Sequence, residues 1–181
     1  MKNLKLLTLI AFGALLVTFA SCDKAKDLAN VTFDATLSTD ISAQSNGETR
    51  EGVFPFSGNE IIDPAADENI EKYWDNIVEW VGKDIIVEVK SIDEPANLTN
   101  GHLLIRDNTT EEVLYTADAD NMLLEPGTKV LHVTNADWAK LIAALNAKHM
   151  FYVEVAGNLD KSLINITFKV TLNTEVTANP L

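Results

Sequence analysis

From Val31 onward the chain alternates apolar and polar positions. Val31, Phe33, Ala35, Leu37, Ile41 and Ala43 are interleaved with Thr32, Asp34, Thr36, Ser38, Asp40 and Ser42. A period of two is what a strand with one buried and one wet face requires. The same pattern returns near the other end, where Ile164, Ile166, Phe168, Val170, Leu172 and Val176 alternate with Asn165, Thr167, Lys169, Thr171, Asn173 and Glu175. Between these two long strands, shorter runs at 52–56, 84–92, 102–106, 112–116, 129–133 and 150–155 are separated by turn-forming pieces such as Ser45-Asn46-Gly47 and Glu125-Pro126-Gly127. About eight short strands in one domain predict a mainly β fold, an antiparallel sandwich of immunoglobulin-like type.

Two stretches depart from the strand period and predict inserted α-helices. The first covers 66–81, following Asp63-Pro64 and stopping at Gly82. On a helical wheel it places Ile70, Trp74, Ile77 and Val81 on one face and Glu71, Lys72, Asp75 and Glu79 on the other. Tyr73 and Trp80 then share a shoulder, where two amphipathic rings offer a platform for a sugar ring or a partner's apolar patch. The alternative is that the shoulder only widens the buried stripe. The second helix follows Asn135 as N-cap and runs through Trp138, Leu141, Ile142 and Leu145.

The first 21 residues obey a different logic. Lys2 and Lys5 give a cationic start, an apolar stretch extends to Phe19, and Ala20-Ser21 precedes Cys22, the sole cysteine among 181 residues. A stretch of this kind reads as a secretory signal, being shorter than the roughly 20 residues that span a bilayer. Residues 22–29 are short and polar, a tether, and 30–181 form the single domain. Phe19-Ala20-Ser21-Cys22 resembles the lipobox of bacterial lipoproteins, and with the two terminal strands the chain resembles small lipoproteins of Bacteroidota-type bacteria. That resemblance implies cleavage before Cys22, a diacylglycerol and fatty-acyl (palmitate-type) anchor on it, and attachment to the outer membrane. The mixed charges of Asp23-Lys24-Ala25-Lys26-Asp27 leave open whether the periplasmic or the surface face is occupied. The resembling group provides no catalytic residue to carry over.

Composition narrows the partners. The chain holds 27 acidic and 14 basic residues, and none of the acids lies in the first 21 positions. Such a negative balance disfavours nucleic acid, whose phosphates need clustered Lys and Arg, and equally disfavours electrostatic adhesion to anionic headgroups. A single cysteine excludes a disulfide framework and a Cys-based zinc site.

Candidate chemistry is sparse. No Gly-x-Ser-x-Gly elbow occurs, and His102, His132 and His149 are far apart without a metal-ligand spacing, so no metal centre is expected. Asp118-Ala119-Asp120-Asn121, with Asp107 upstream, supplies oxygen ligands of the kind calcium takes, although without the glycine and spaced glutamate of an EF-hand a solvated polar loop leaving a strand is the simpler reading. No cofactor is implied beyond the lipid on Cys22. The expectation is therefore a lipid-anchored, non-catalytic envelope protein that binds a partner protein or a glycan. The alternatives are a carboxylate-using hydrolase and an assembly subunit that adds a strand to a neighbour's sheet.

Overall fold

A computed structural model describes residues 30–47 and 52–179; the expected signal segment 1–21 and the expected tether 22–29 with Cys22 fall outside the described residues. Eight strands form two four-stranded antiparallel sheets: β1 (Val31–Gln44), β2 (Phe54–Ile62), β3 (Ile77–Ile92), β4 (Ala96–Asp107), β5 (Val113–Leu124), β6 (Lys129–Val133), β7 (Phe151–Leu159) and β8 (Asn165–Ala178). One sheet runs β1-β8-β3-β6, the other β2-β7-β4-β5. The fold is thus the antiparallel sandwich that the alternation predicts. Its strand order is that of a jelly roll, two interleaved Greek keys, in place of the immunoglobulin order. Alternation reports which face of a strand is buried and carries no information about which strand lies beside it.

The two terminal strands pair with each other along their whole length without a bulge, from Val31↔Ala178 to Gln44↔Asn165. Their apolar halves meet the second sheet in a core that includes Ile41, Phe168 and Val170, none of them accessible, with the Phe56 and Phe168 rings stacked at 5.6 Å. β8 lies inside its sheet, between β1 and β3.

The expected helix over 66–81 is not formed. A 3-10 turn at Pro64–Ala66, a single turn α1 (Glu68–Glu71) and another 3-10 turn at Trp74–Asn76 give way to β3, which starts at Ile77. Asp67 caps α1 by accepting from the Asn69 and Ile70 amides. Helix is abandoned after it because Ile77, Val78 and Val81 are β-branched and because a partner strand is at hand. β3 pairs along β8 from Ile77↔Ala178 to Ile92↔Ile166, far more backbone bonding than an isolated helix of this length supplies. The second helix, α2, spans Ala139–Asn146, later than Asn135 would start it; Asp137 accepts the Ala139 amide. Leu141 and Leu145 are buried beneath α2 as its apolar spacing requires. The stretch 118–121, expected as a loop, is interior to β5.

The register fixes which connections share an end of the sandwich. The start of β1, the end of β8 and the start of β3 coincide at Val31, Ala178 and Ile77, while Ile62, Phe151 and Asp107 mark the same end of the other sheet. The segment 63–76, the turn 108–112 and the α2 segment 134–150 therefore lie together, at the end where the chain enters β1. The opposite end carries the connection 45–53 and the turns 93–95, 125–128 and 160–164.

Candidate functional site

The α2 segment closes this end of the sandwich, and one glycine sets its position. A Cβ placed on Gly82 would stand 1.8 Å from the Trp138 ring, so the indole lies flat on the β3 backbone. Trp138 thereby anchors the start of α2, its Nε1 buried without a hydrogen-bond partner. The helix ends in a Schellman arrangement: His149 N donates to Ala144 O and Lys148 N to Leu145 O, with Lys148 at φ 61° where glycine is usual. Lys148 is held there by an ion pair to Asp75 at 2.6 Å and by the Trp74 face 5.6 Å away.

Between α2 and the β4–β5 turn lies a cleft of about 430 Å³. Its floor is Leu114 with Ala139, Ala143, Ala144 and Ala147, small side chains that recur at helical spacing and keep the groove open. Its rim holds two polar couples. Lys140 Nζ lies 2.8 Å from Glu112 and also donates to the Val113 carbonyl. His149 Nδ1 lies 2.6 Å from Asp107 Oδ2.

Asp107 is 5% exposed, and the Thr109 and Thr110 amides donate to its other oxygen at 2.7 and 2.9 Å. Burial by itself would raise its pKa. The His149 hydrogen bond and the Thr110 and Thr109 amides outweigh that and hold it at about 2. The carboxylate therefore fastens the β4–β5 turn to the residue that follows α2, which fixes the two walls of the cleft relative to each other.

The residues expected from the sequence are distributed as follows. Trp80 sits on β3, 5% exposed, and Tyr73 lies before the strand with its ring tilted against Phe33 at 5.4 Å. They share no helix face, so the platform loses its geometric basis. The three acids do not converge. Asp118 faces His102 across the β4–β5 pair at 2.6 Å, Asp120 is opposite Asn100, and Asp107 is five residues from His102 along β4, roughly 16 Å at strand rise. Among the described residues no group of three or more His, Cys, Asp or Glu side chains is placed to hold a metal. Each histidine faces its own aspartate: His102 with Asp118, His132 with Asp84 at 3.5 Å, His149 with Asp107.

Sequence reasoning passed over the Asp107–His149 couple, because the two residues are 42 apart in the chain and only the strand order joins them. It also passed over Ala139, Ala143 and Ala147, whose four-residue spacing was a legible sign of a helix face with room beside it.

No family model matches the chain, and no curated protein sequence matches it. Among solved structures it is similar to the decameric BFDV capsid protein, with 11% identity over 81% of this chain and 99% of the other at a TM-score of 0.45. Similarity extends to Desmodium yellow mottle tymovirus (7% identity, 83% and 90% coverage, TM-score 0.35). A family 11 carbohydrate-binding module from Clostridium thermocellum, in complex with a mixed-linked tetrasaccharide, aligns at 10% identity over 80% and 88% with a TM-score of 0.28.

Proposed function

We propose that this chain is a lipid-anchored protein of the cell envelope, held at the outer membrane through Cys22, which binds a partner protein in the cleft beside α2 without catalysing a reaction. The cationic start, the apolar stretch and Ala20-Ser21-Cys22 support the anchor. The observation that carries the binding reading is the cleft itself: an apolar floor bordered by polar groups that are already paired. Paired groups give shape and orientation to a bound partner. Asp107 is committed to three hydrogen bonds, and among the described residues no hydroxyl or thiol hydrogen-bonds to His149, so nothing arranges it to activate a nucleophile.

A protein partner suits the cleft better than a glycan. Sugar rings are gripped by flat aromatic faces, and none lines this groove; alanines and a leucine receive an aliphatic side chain. The strand-adding alternative gains nothing from β8, which is bonded on both edges.

A photo-crosslinking residue at Thr110, on the cleft rim, tests the reading in intact cells, with Thr171 on the outer face of β8 as the control position. A discrete adduct is expected from position 110 alone, and the exposed Ala143→Trp, which fills the groove, should abolish it at an unchanged melting temperature. An adduct that survives the filled groove, or none above the control, refutes the cleft.

A further inference from the structure

The eight large apolar side chains that stay exposed among the described residues are not scattered. Six of them, Val31, Ile61, Val78, Val81, Val113 and Met150, lie within five residues of a strand terminus at the end that carries α1 and α2; Leu123 and Leu163 lie at the other. Scattered single hydrophobics need no explanation, but a fringe around one end does. Val78 is the most exposed of the six, at 58%.

Two further observations bear on what meets this fringe. The chain enters β1 at Val31, at this same end, so only residues 23–29 separate the domain from Cys22. Whatever conformation they adopt, seven residues reach at most about 25 Å. The nearby segment 63–79 carries Asp63, Asp67, Glu68, Glu71, Asp75 and Glu79 against Lys72 alone. An aliphatic fringe combined with acidic side chains suits an uncharged interface and is repelled by an anionic one.

We infer that the helix-bearing end of the sandwich is seated on the bilayer, with a zwitterionic headgroup surface as the occupant of the fringe around Val78. This rests on the lipid-anchored reading above and adds to it an orientation and a lipid class. The acyl chains supply the affinity; the fringe decides which end of the domain faces the membrane. The short turns at 93–95, 125–128 and 160–164 then point away from it, and the α2 cleft opens close to the membrane surface.

The test uses the full-length acylated protein, in which Cys22 is blocked by its own lipid, with a single fluorophore attached at Val78→Cys or at Leu163→Cys. Both positions are exposed, and melting temperatures of the two variants check that they fold. On phosphatidylcholine vesicles containing brominated lipid, the probe at 78 should be quenched several-fold more than the probe at 163. Replacing half the phosphatidylcholine by phosphatidylglycerol at low salt should weaken quenching at 78 while the protein still floats with the vesicles. Equal quenching, or stronger quenching at 163, in protein that floats overturns the orientation and leaves the anchor standing. Protein that does not float removes the anchor and this inference with it. Quenching at 78 that requires added membrane protein assigns the fringe to a protein partner and overturns the lipid.

Discussion

Gly82→Ala is the most searching single change available, because it tests how the fold places the cleft. The new methyl carbon would lie 1.8 Å from Cδ2 of Trp138 and 2.2 Å from Cε2 and Cε3, where about 3.5 Å is the ordinary carbon contact. The three atoms belong to a fused ring, so no flexible tip can give way. Either the indole retreats by more than an ångström and drags the start of α2, or it swings out of its site. The first course is overpacking, about 1 to 3 kcal/mol; the second is bounded above by the roughly 3 to 5 kcal/mol of deleting a fully buried tryptophan, Trp138 being half-buried. An outcome near 3 kcal/mol is expected, read as a fall in the urea midpoint at constant slope. The same displacement should cost the Thr110 crosslink, since Ala139 and Ala143 move with the helix. In a double-mutant cycle, Gly82→Ala made in a Trp138→Ala background should cost little, because the clash partner is gone. A midpoint that hardly moves, or a cycle in which the two costs simply add, refutes the claim that Gly82 exists to seat the indole.

Cys22→Ala should move the protein from the membrane to the soluble fraction, and equal fractionation with wild type would remove the anchor. Phe168→Ala, at a fully enclosed ring stacked on Phe56, should cost about 3 to 5 kcal/mol in urea unfolding, whereas Thr167→Ala on the opposite face of β8 should cost under about 1. Trp80→Ala should lower stability by a similar several kcal/mol, as expected of a buried strand residue, and a stable variant would return it to the surface. Asp107 is held below its unfolded value, so its contribution is complete above about pH 4 and is lost as pH falls toward about 2; that loss, of order 2 kcal/mol, should vanish in Asp107→Asn when unfolding is followed against pH.

The parts of the fold that were legible in the sequence are those whose cause is local. Alternation in 31–43 and 164–176 identified two half-buried strands; β1 runs one residue further, to Gln44, and β8 starts one residue later and ends two later, at Asn165 and Ala178. What escaped depends on neighbours. Ile70, Trp74, Ile77 and Val81 satisfy helical spacing, yet β3 begins at Ile77 because β8 offers it a ladder. That exchange reverses the roles of two adjacent residues: Val81, assigned to the buried stripe, is 45% exposed, and Trp80, assigned to the wet shoulder, is 5% exposed. The ring platform was lost with the helix that was to carry it. Asp107 and His149 were each visible, but only the pairing of β4 with β7 makes them partners.

The site and the strand order are connected by the lengths of the crossings. Every connection here except the β4–β5 turn passes from one sheet to the other at one of two ends, which brings the long connections at one end together. Thus 63–76 and 134–150 meet: Lys148 reaches Asp75 and Trp74 in one direction, and His149 reaches Asp107 in the other. Three of the far-end connections are turns of three to five residues, with too few side chains to build a groove, and there the polar groups are spent on the turns themselves, with Asp160 bonded to Asn97 and Asp93 to Asn165. The end with the two longest connections, 63–76 and 134–150, is the end with the cleft, the exposed aliphatic fringe and the entry to β1. Shortening 134–150 to a tight turn should therefore leave a sandwich that still folds around Phe168 and Ile41 but has lost the groove, so stability and binding are separable properties of this chain.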